Sequence, residues 1–198
     1  MVENIKGKRE LILEAAIKIY AQKGFQQSKI EDIAQEANVG KGTVYEYFGS
    51  KKELFEEMIK QSIEHYSSSV ESQVRCASNS EESLKLAVKG HIEFCLEYRD
   101  MAQVFFHDHS WVDSEFTKWL MEMWEKKMVS IKAILEEGIE KGEFVPMDTK
   151  LVATAFLGMM EGICSPMILE SEEVIPAHMA EDIVALMLSG IGTKKARH

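Results

Sequence analysis

The chain has 198 residues, is 45% hydrophobic and 28% charged, and carries a formal net charge of −10. That balance supplies enough apolar side chains for one large or two small cores, and it excludes a disordered or low-complexity polymer. Three widely separated cysteines, Cys76, Cys95 and Cys164, show no CxxC spacing, which argues against a disulfide framework or a zinc site and fits a reducing cytoplasm.

The charge is unevenly spread. Residues 1–52 hold nine basic and seven acidic side chains, a net of +2, whereas the remainder holds 14 basic and 26 acidic ones, a net of −12. A polyanion would be attracted to the N-terminal end and repelled by the body. The opening MVENIKGKRE has no apolar core of a signal peptide, and the most apolar run, Leu151 to Leu169, is interrupted by Glu161 and Pro166. Neither secretion nor a membrane span is expected.

Prolines are few, at 146, 166 and 176, and no stretch sustains a period of two, so the fold is predicted to be all-α with about nine helices. The first helix is predicted from Lys8 to Lys23, with Leu11, Ala15, Ala16, Ile19 and Tyr20 at three-and-four spacing and Gly24 as a left-handed cap. Ser28, three residues before Glu31, reads as the capping box of a short second helix with Ile30, Ile33 and Ala34 inward. Asn38-Val39-Gly40 breaks that helix, and a third begins near Lys41. Two short helices joined by a tight, glycine-containing turn make a helix-turn-helix.

Ser50 and Glu53 repeat the capping-box spacing and open a long fourth helix towards Arg75. CASNSEES, 76 to 83, reads as a linker, with Ser80 capping a fifth helix to about Glu97. A short sixth helix is expected around Met101 to His107, then a long seventh from Ser114 to Lys141, stopped by Gly142. Asp148 caps an eighth that runs to Pro166, and Pro176 opens a ninth that ends at Gly190.

On a helix beginning at Lys41, Val44 and Phe48 lie four apart and seal one face, which leaves Lys41, Thr43, Tyr45 and Tyr47 around the outside. Hydroxyls and an ammonium on an exposed first turn suit phosphate and base-edge contacts, and Gly42 lets the backbone approach a groove. The third helix therefore reads as a recognition helix. From Ile12 to Leu54 the chain closely resembles the N-terminal DNA-binding domain of the TetR family of transcriptional repressors: KGF at the end of the first helix, Ser28, IEDIAQEANV, KGTVYEYF and SKKEL.

The resemblance implies a three-helix DNA-binding domain over 1–52 and an effector-binding and dimerisation domain over 53–198. It places DNA contacts on Ser28, Lys29, Lys41, Gly42, Thr43, Tyr45, Tyr47 and Lys51, the last at a helix N-terminus where free amides add to its attraction for phosphate. Glu46 departs from the family pattern, since a carboxylate there would repel a backbone phosphate. The implied partners are a palindromic double-stranded DNA operator, a second copy of the chain and a hydrophobic small-molecule effector. The fourth helix would act as the lever between effector and DNA.

In the body, the candidate effector residues are Met101, Phe105, Trp111, Phe116, Trp119, Met123, Phe156, Met160 and Glu161. Methionine-rich apolar helices adapt to ligands of differing shape, and the same side chains would also serve as ordinary core. Glu161 in an apolar run either pairs with a lysine or histidine or marks a cationic ligand. The dimer candidates are Val152, Ala155, Gly158, Met159, Gly162, Ile183 and Met187, where small residues permit close helix approach.

No metal, cofactor or catalytic constellation is expected. His107-Asp108-His109 lacks a third ligand at suitable spacing, and His91 with Cys95, four apart, fits a buried thiol beside a hydrogen-bonded histidine. The style of ILEEGIEKGEF, 134 to 144, resembles acyl-CoA-sensing repressors of fatty-acid degradation within the family. A sensor of multiple cationic drugs and a DNA-binding protein without effector are the alternatives.

Overall fold

The computed structural model describes residues 7–99, 112–169 and 178–189, with the side chains of 166–169 excepted. The described residues form eight helices and no strand: α1 (Lys8–Gln27), α2 (Ile30–Glu36), α3 (Lys41–Tyr47), α4 (Lys51–Val74), α5 (Ser80–Glu97), α6 (Ser114–Glu140), α7 (Thr149–Leu169) and α8 (Met179–Ser189). The helix expected around 101–107 and the cap expected at Pro176 lie outside the described residues. Two compact units emerge, one running to His65 and including the described residues of Tyr98–Phe116, the other made of Tyr66–Glu97 and the described residues from Thr117 onward.

In the first unit, α1, α2 and α3 pack on one another. Ile12, Ala16, Tyr20, Ile33, Val44, Leu54 and Phe55 are fully buried. Phe55 meets the edge of Tyr20 at 4.9 Å and stands 5.1 Å from Phe25, so three aromatic rings hold the start of α4 against α1. The Tyr20 hydroxyl, whose ionisation is pushed well up by burial, donates to the Lys51 carbonyl at 3.1 Å. Leu11 departs from the expected inward face and is exposed, because Ile12 and Leu13 turn the apolar stripe by one position.

Several predicted caps move. Gly24 has the expected positive φ of 72°, but its ψ of 169° is extended, and a last helical turn follows to Gln27. Ser28 does not cap α2: its buried hydroxyl donates to the Phe25 carbonyl at 2.9 Å, and Lys29 is the residue before the helix. The Lys29 amide instead donates to Asp32 at 3.3 Å. In the turn before α3 the left-handed residue is Asn38, with φ 53°, whereas Gly40 is ordinary extended backbone.

Ser50 caps α4 as expected, accepting from the Glu53 amide at 3.0 Å, while Glu53 returns a bond to the Gly49 amide. Asn79 rather than Ser80 caps α5, accepting from the Glu82 amide at 2.8 Å.

In the second unit α5 packs against both α7 and α8. Leu84, Val88, Leu135, Ala153, Phe156, Leu157, Met160 and Val184 form its core. Gly142, with φ 73°, ends α6, and the amides of Glu143 and Phe144 both turn back to the Gly138 carbonyl. Asp148 caps α7 by accepting from the Leu151 amide at 3.0 Å. α7 does not stop at Pro166 but runs on to Leu169. An interior proline removes one i→i−4 bond and crowds the carbonyl four residues back, yet the α7 backbone stays helical past it.

Candidate functional site

α3 lasts seven residues because extended backbone frames it, Gly40 before it and Phe48 after it. Val44 and Phe48 are 0% and 2% exposed, whereas Tyr45 and Tyr47 are 47% and 45% exposed. Helical periodicity thus splits the segment into an anchoring face and a presented face. Lys41 and Gly42 are exposed and Thr43 is half-buried. A Cβ on Gly42 would meet nothing within 4 Å, so packing inside the chain does not require that glycine.

The presented lysines are not idle. The Lys41 ammonium donates to Glu31 at 2.6 Å and lies 5.8 Å from the centre of the Tyr45 ring. That bond pushes the pKa of the Lys41 ammonium up and holds that of the Glu31 carboxyl below the usual carboxylate range. The Lys51 ammonium donates to the Gln26 carbonyl at 3.3 Å and sits 4.5 Å over the Phe25 ring. Lys29 is exposed at the start of α2. Ser28, buried and hydrogen-bonded inward, is removed from the side chains that solvent can reach. Sequence reasoning missed Glu31 as the partner of Lys41, because the two side chains, ten positions apart, meet only once α2 and α3 are folded.

The predicted effector residues are placed unevenly. Met101, Phe105 and Trp111 lie outside the described residues. Phe116 is buried and belongs to the first unit. Within the second unit, Trp119 and Met123 are half-buried on α6, and Phe156 and Met160, four apart on α7, are core. Glu161 does not point into apolar surroundings: its side chain is 50% exposed and accepts from the Lys127 ammonium at 3.2 Å. That bond supplies the lysine partner which the sequence left as one option, in place of a cationic ligand.

The predicted dimer residues separate clearly. Ala155, Gly158 and Gly162 are exposed, Val152 and Met159 are half-buried, and a Cβ on either glycine would meet nothing within 4 Å. Beside them Leu151 on α7 is 65% exposed and Leu186 on α8 is 47% exposed. Met187 is half-buried. Ile183 is a correction: at 4% exposure it is core of the second unit and faces inward with Val184, while Leu186 takes the outward position.

The cysteines are less scattered than the sequence implies. Cys95 on α5 and Cys164 on α7 converge with His91. Burial, followed by the nearby Lys127 ammonium, pushes the His91 imidazole down to about 3. The hydrogen bond with the Cys164 thiol, followed by burial, pushes the Cys95 thiol up. His91 and Cys95 were legible as an i, i+4 pair; Cys164, far away in sequence, was not.

The geometry of the two units agrees with sequence families. A family model described as bacterial regulatory proteins, tetR family, matches residues 12–58, and one described as tetracyclin repressor-like, C-terminal domain, matches residues 77–165. A fatty acid metabolism regulator protein of Bacillus subtilis (strain 168) is 23% identical over 184 residues, covering 92% of this chain and 95% of that protein.

Among solved structures, the fatty acid degradation regulator FadR from Bacillus halodurans superposes with a TM-score of 0.81 at 24% identity, covering 94% of this chain and 97% of that one. FadR from Bacillus subtilis in complex with stearoyl-CoA gives 0.80 at 22% identity, covering 92% and 99%. With the helix-turn-helix and the helical body each matched, this chain belongs to the TetR family and is a regulator of transcription rather than an enzyme.

Proposed function

We propose that the chain is a cytoplasmic homodimeric repressor that binds a palindromic operator and is released from it by a hydrophobic effector of the acyl-CoA class. The observation that carries the DNA reading is the division of α3, with Val44 and Phe48 buried and Lys41, Tyr45 and Tyr47 presented. Each protomer inserts α3 into a major groove, with the two grooves about one helical turn, ~34 Å, apart or slightly more. Lys29, Lys41, Thr43, Tyr45, Tyr47 and Lys51 supply phosphate and base-edge contacts, and Gly42 gives the backbone room. Residues 1–52 form the reading head and 53–198 the body that binds effector and partner.

Dimerisation is supported by the open stripe of Leu151, Ala155, Gly158 and Gly162 on α7 and by Leu186 on α8. An apolar, small-residue helix face needs cover in water, and a second copy of the same face gives a two-fold four-helix contact. The acyl-CoA class is supported by likeness to a regulator solved with stearoyl-CoA. The multidrug alternative needs an unpaired carboxylate for cations, and the bond from Lys127 to Glu161 weighs against it.

Effector binding releases DNA only through its difference in affinity for the two states of the dimer, with α4 as lever. Stearoyl-CoA added to the protein–DNA complex should lower the fluorescence anisotropy of labelled DNA, and CoA alone should not. Release by a lipophilic cation such as tetraphenylphosphonium, without release by stearoyl-CoA, would favour the multidrug reading. Release by neither would favour a DNA-binding protein without small-molecule effector.

A further inference from the structure

His91 and Cys95 stand one turn apart on α5 and point to the same side, and α7 brings Cys164 to them. One imidazole nitrogen and both sulfurs lie within 4.8 Å of one another, and all three residues are buried. The Cys95 sulfur is 3.8 Å from His91 Nε2. A tetrahedral zinc ion with bonds of about 2.3 Å to sulfur and about 2.0 Å to nitrogen leaves neighbouring ligand atoms about 3.5 Å apart, so the present spacing needs only small side-chain adjustments.

We propose that His91, Cys95 and Cys164 bind a thiophilic divalent cation of the zinc type, clamping α5 to α7. The surroundings match what such a site needs. The other ring nitrogen, Nδ1, lies 3.4 Å from the Tyr66 hydroxyl; when Nε2 ligates, the Nδ1–H donates a hydrogen bond to that oxygen, which fixes the ring. Glu161 Oε1 is 3.8 Å from Nε2, close enough for the carboxylate, or a water held by it, to take the fourth position.

Charge also balances. Each thiol gives one proton to solvent on binding and the two thiolates neutralise the dication; the Lys127 ammonium, which donates to Nδ1 at 3.1 Å here, gives up that bond when Nδ1 takes the ring proton and keeps Glu161, at 3.2 Å, as its counter-ion. No oxidant is required. A purely structural reading would leave two thiols and an imidazole joined by weak sulfur contacts. The third cysteine, Cys76, is exposed and lies outside this cluster, so it serves as the internal control.

The test uses the full chain, reduced and stripped with a chelator, titrated with Co²⁺ and then with Zn²⁺. The expected result is one Co²⁺ per chain, with a thiolate-to-cobalt charge-transfer band in the near ultraviolet and visible bands of a tetrahedral site, all lost when Zn²⁺ displaces it. Cys95→Ser and Cys164→Ser should each weaken Co²⁺ binding at least about tenfold, and Cys76→Ser should leave it unchanged.

Absence of the bands in the wild-type chain would overturn the proposal, even if a variant failed to fold. It would also be overturned by bands that persist in Cys95→Ser and Cys164→Ser with normal helical circular dichroism, or by bands that disappear in Cys76→Ser.

Discussion

At the scale of single residues, the decisive finding is that Lys41, which we propose contacts DNA, is already held. Lys41 is bonded to Glu31, so binding phosphate must exchange one anion for another. Glu31→Gln should therefore raise DNA affinity several-fold at low salt, because it frees the ammonium and removes a charge from the presented surface. An unchanged affinity would show that Lys41 does not touch the backbone. Acid will not do what the substitution does, since Lys41 keeps the Glu31 carboxyl ionised to lower pH than usual.

His91 gives the opposite sign of pH dependence from a salt-bridged histidine. Its folded value of about 3 lies below the ordinary 6.5, so the unfolded chain takes up the proton first as pH falls. Stability from this group is full above 6.5 and is lost progressively towards 3. In chelator-treated protein the loss at pH 5 should be about 2 kcal/mol, and urea melts of His91→Gln should show it flattened.

Residue identity alone showed which side chains could carry charge or ligate. It did not show their partners. Ser28 was legible as a capping type, but the kink at Gly24 turns its hydroxyl back to Phe25. Glu161 was legible as an anomaly in an apolar run, and only the fold supplied Lys127.

At the scale of elements, strong local signals survived and weak ones moved by a residue or two. The starts of α4 and α7 and the stop at Gly142 were set by caps and a positive φ that short-range chemistry dictates. Pro166 misled because a proline inside a long helix can be accommodated without ending it, as the continuation to Leu169 shows. Packing across elements was not legible: the ring of Phe144 would lie 2.3 Å from a Cβ on Gly138. Gly138→Ala should lower stability by about 1–3 kcal/mol in denaturant melts, with helix content retained.

The small-residue stripe of α7 makes a complementary prediction. Gly158→Glu introduces no clash inside the subunit, so it should fold normally yet sediment as a monomer in analytical ultracentrifugation. A dimer that survives this substitution would place the interface elsewhere.

At the scale of the whole molecule, the uneven charge, the N-terminal helix-turn-helix and the all-helical body were readable from one chain, and the family match covers both parts. The effector was not readable, because the side chains that line a helical core and those that line a pocket obey the same periodicity. The proposed coupling between body and reading head would likewise be a property of two states of a dimer, which one sequence does not encode at any single position.

The most direct measurement is fluorescence anisotropy of a labelled duplex from the region flanking the protein's own gene, in a salt series, for the wild-type chain and for Lys41→Ala/Tyr45→Ala. The wild type should prefer this DNA to random sequence, with affinity rising steeply as salt falls, and the double variant, with unchanged helical circular dichroism, should lose at least about tenfold. Equal binding by the folded double variant would contradict α3 as the element that reads DNA.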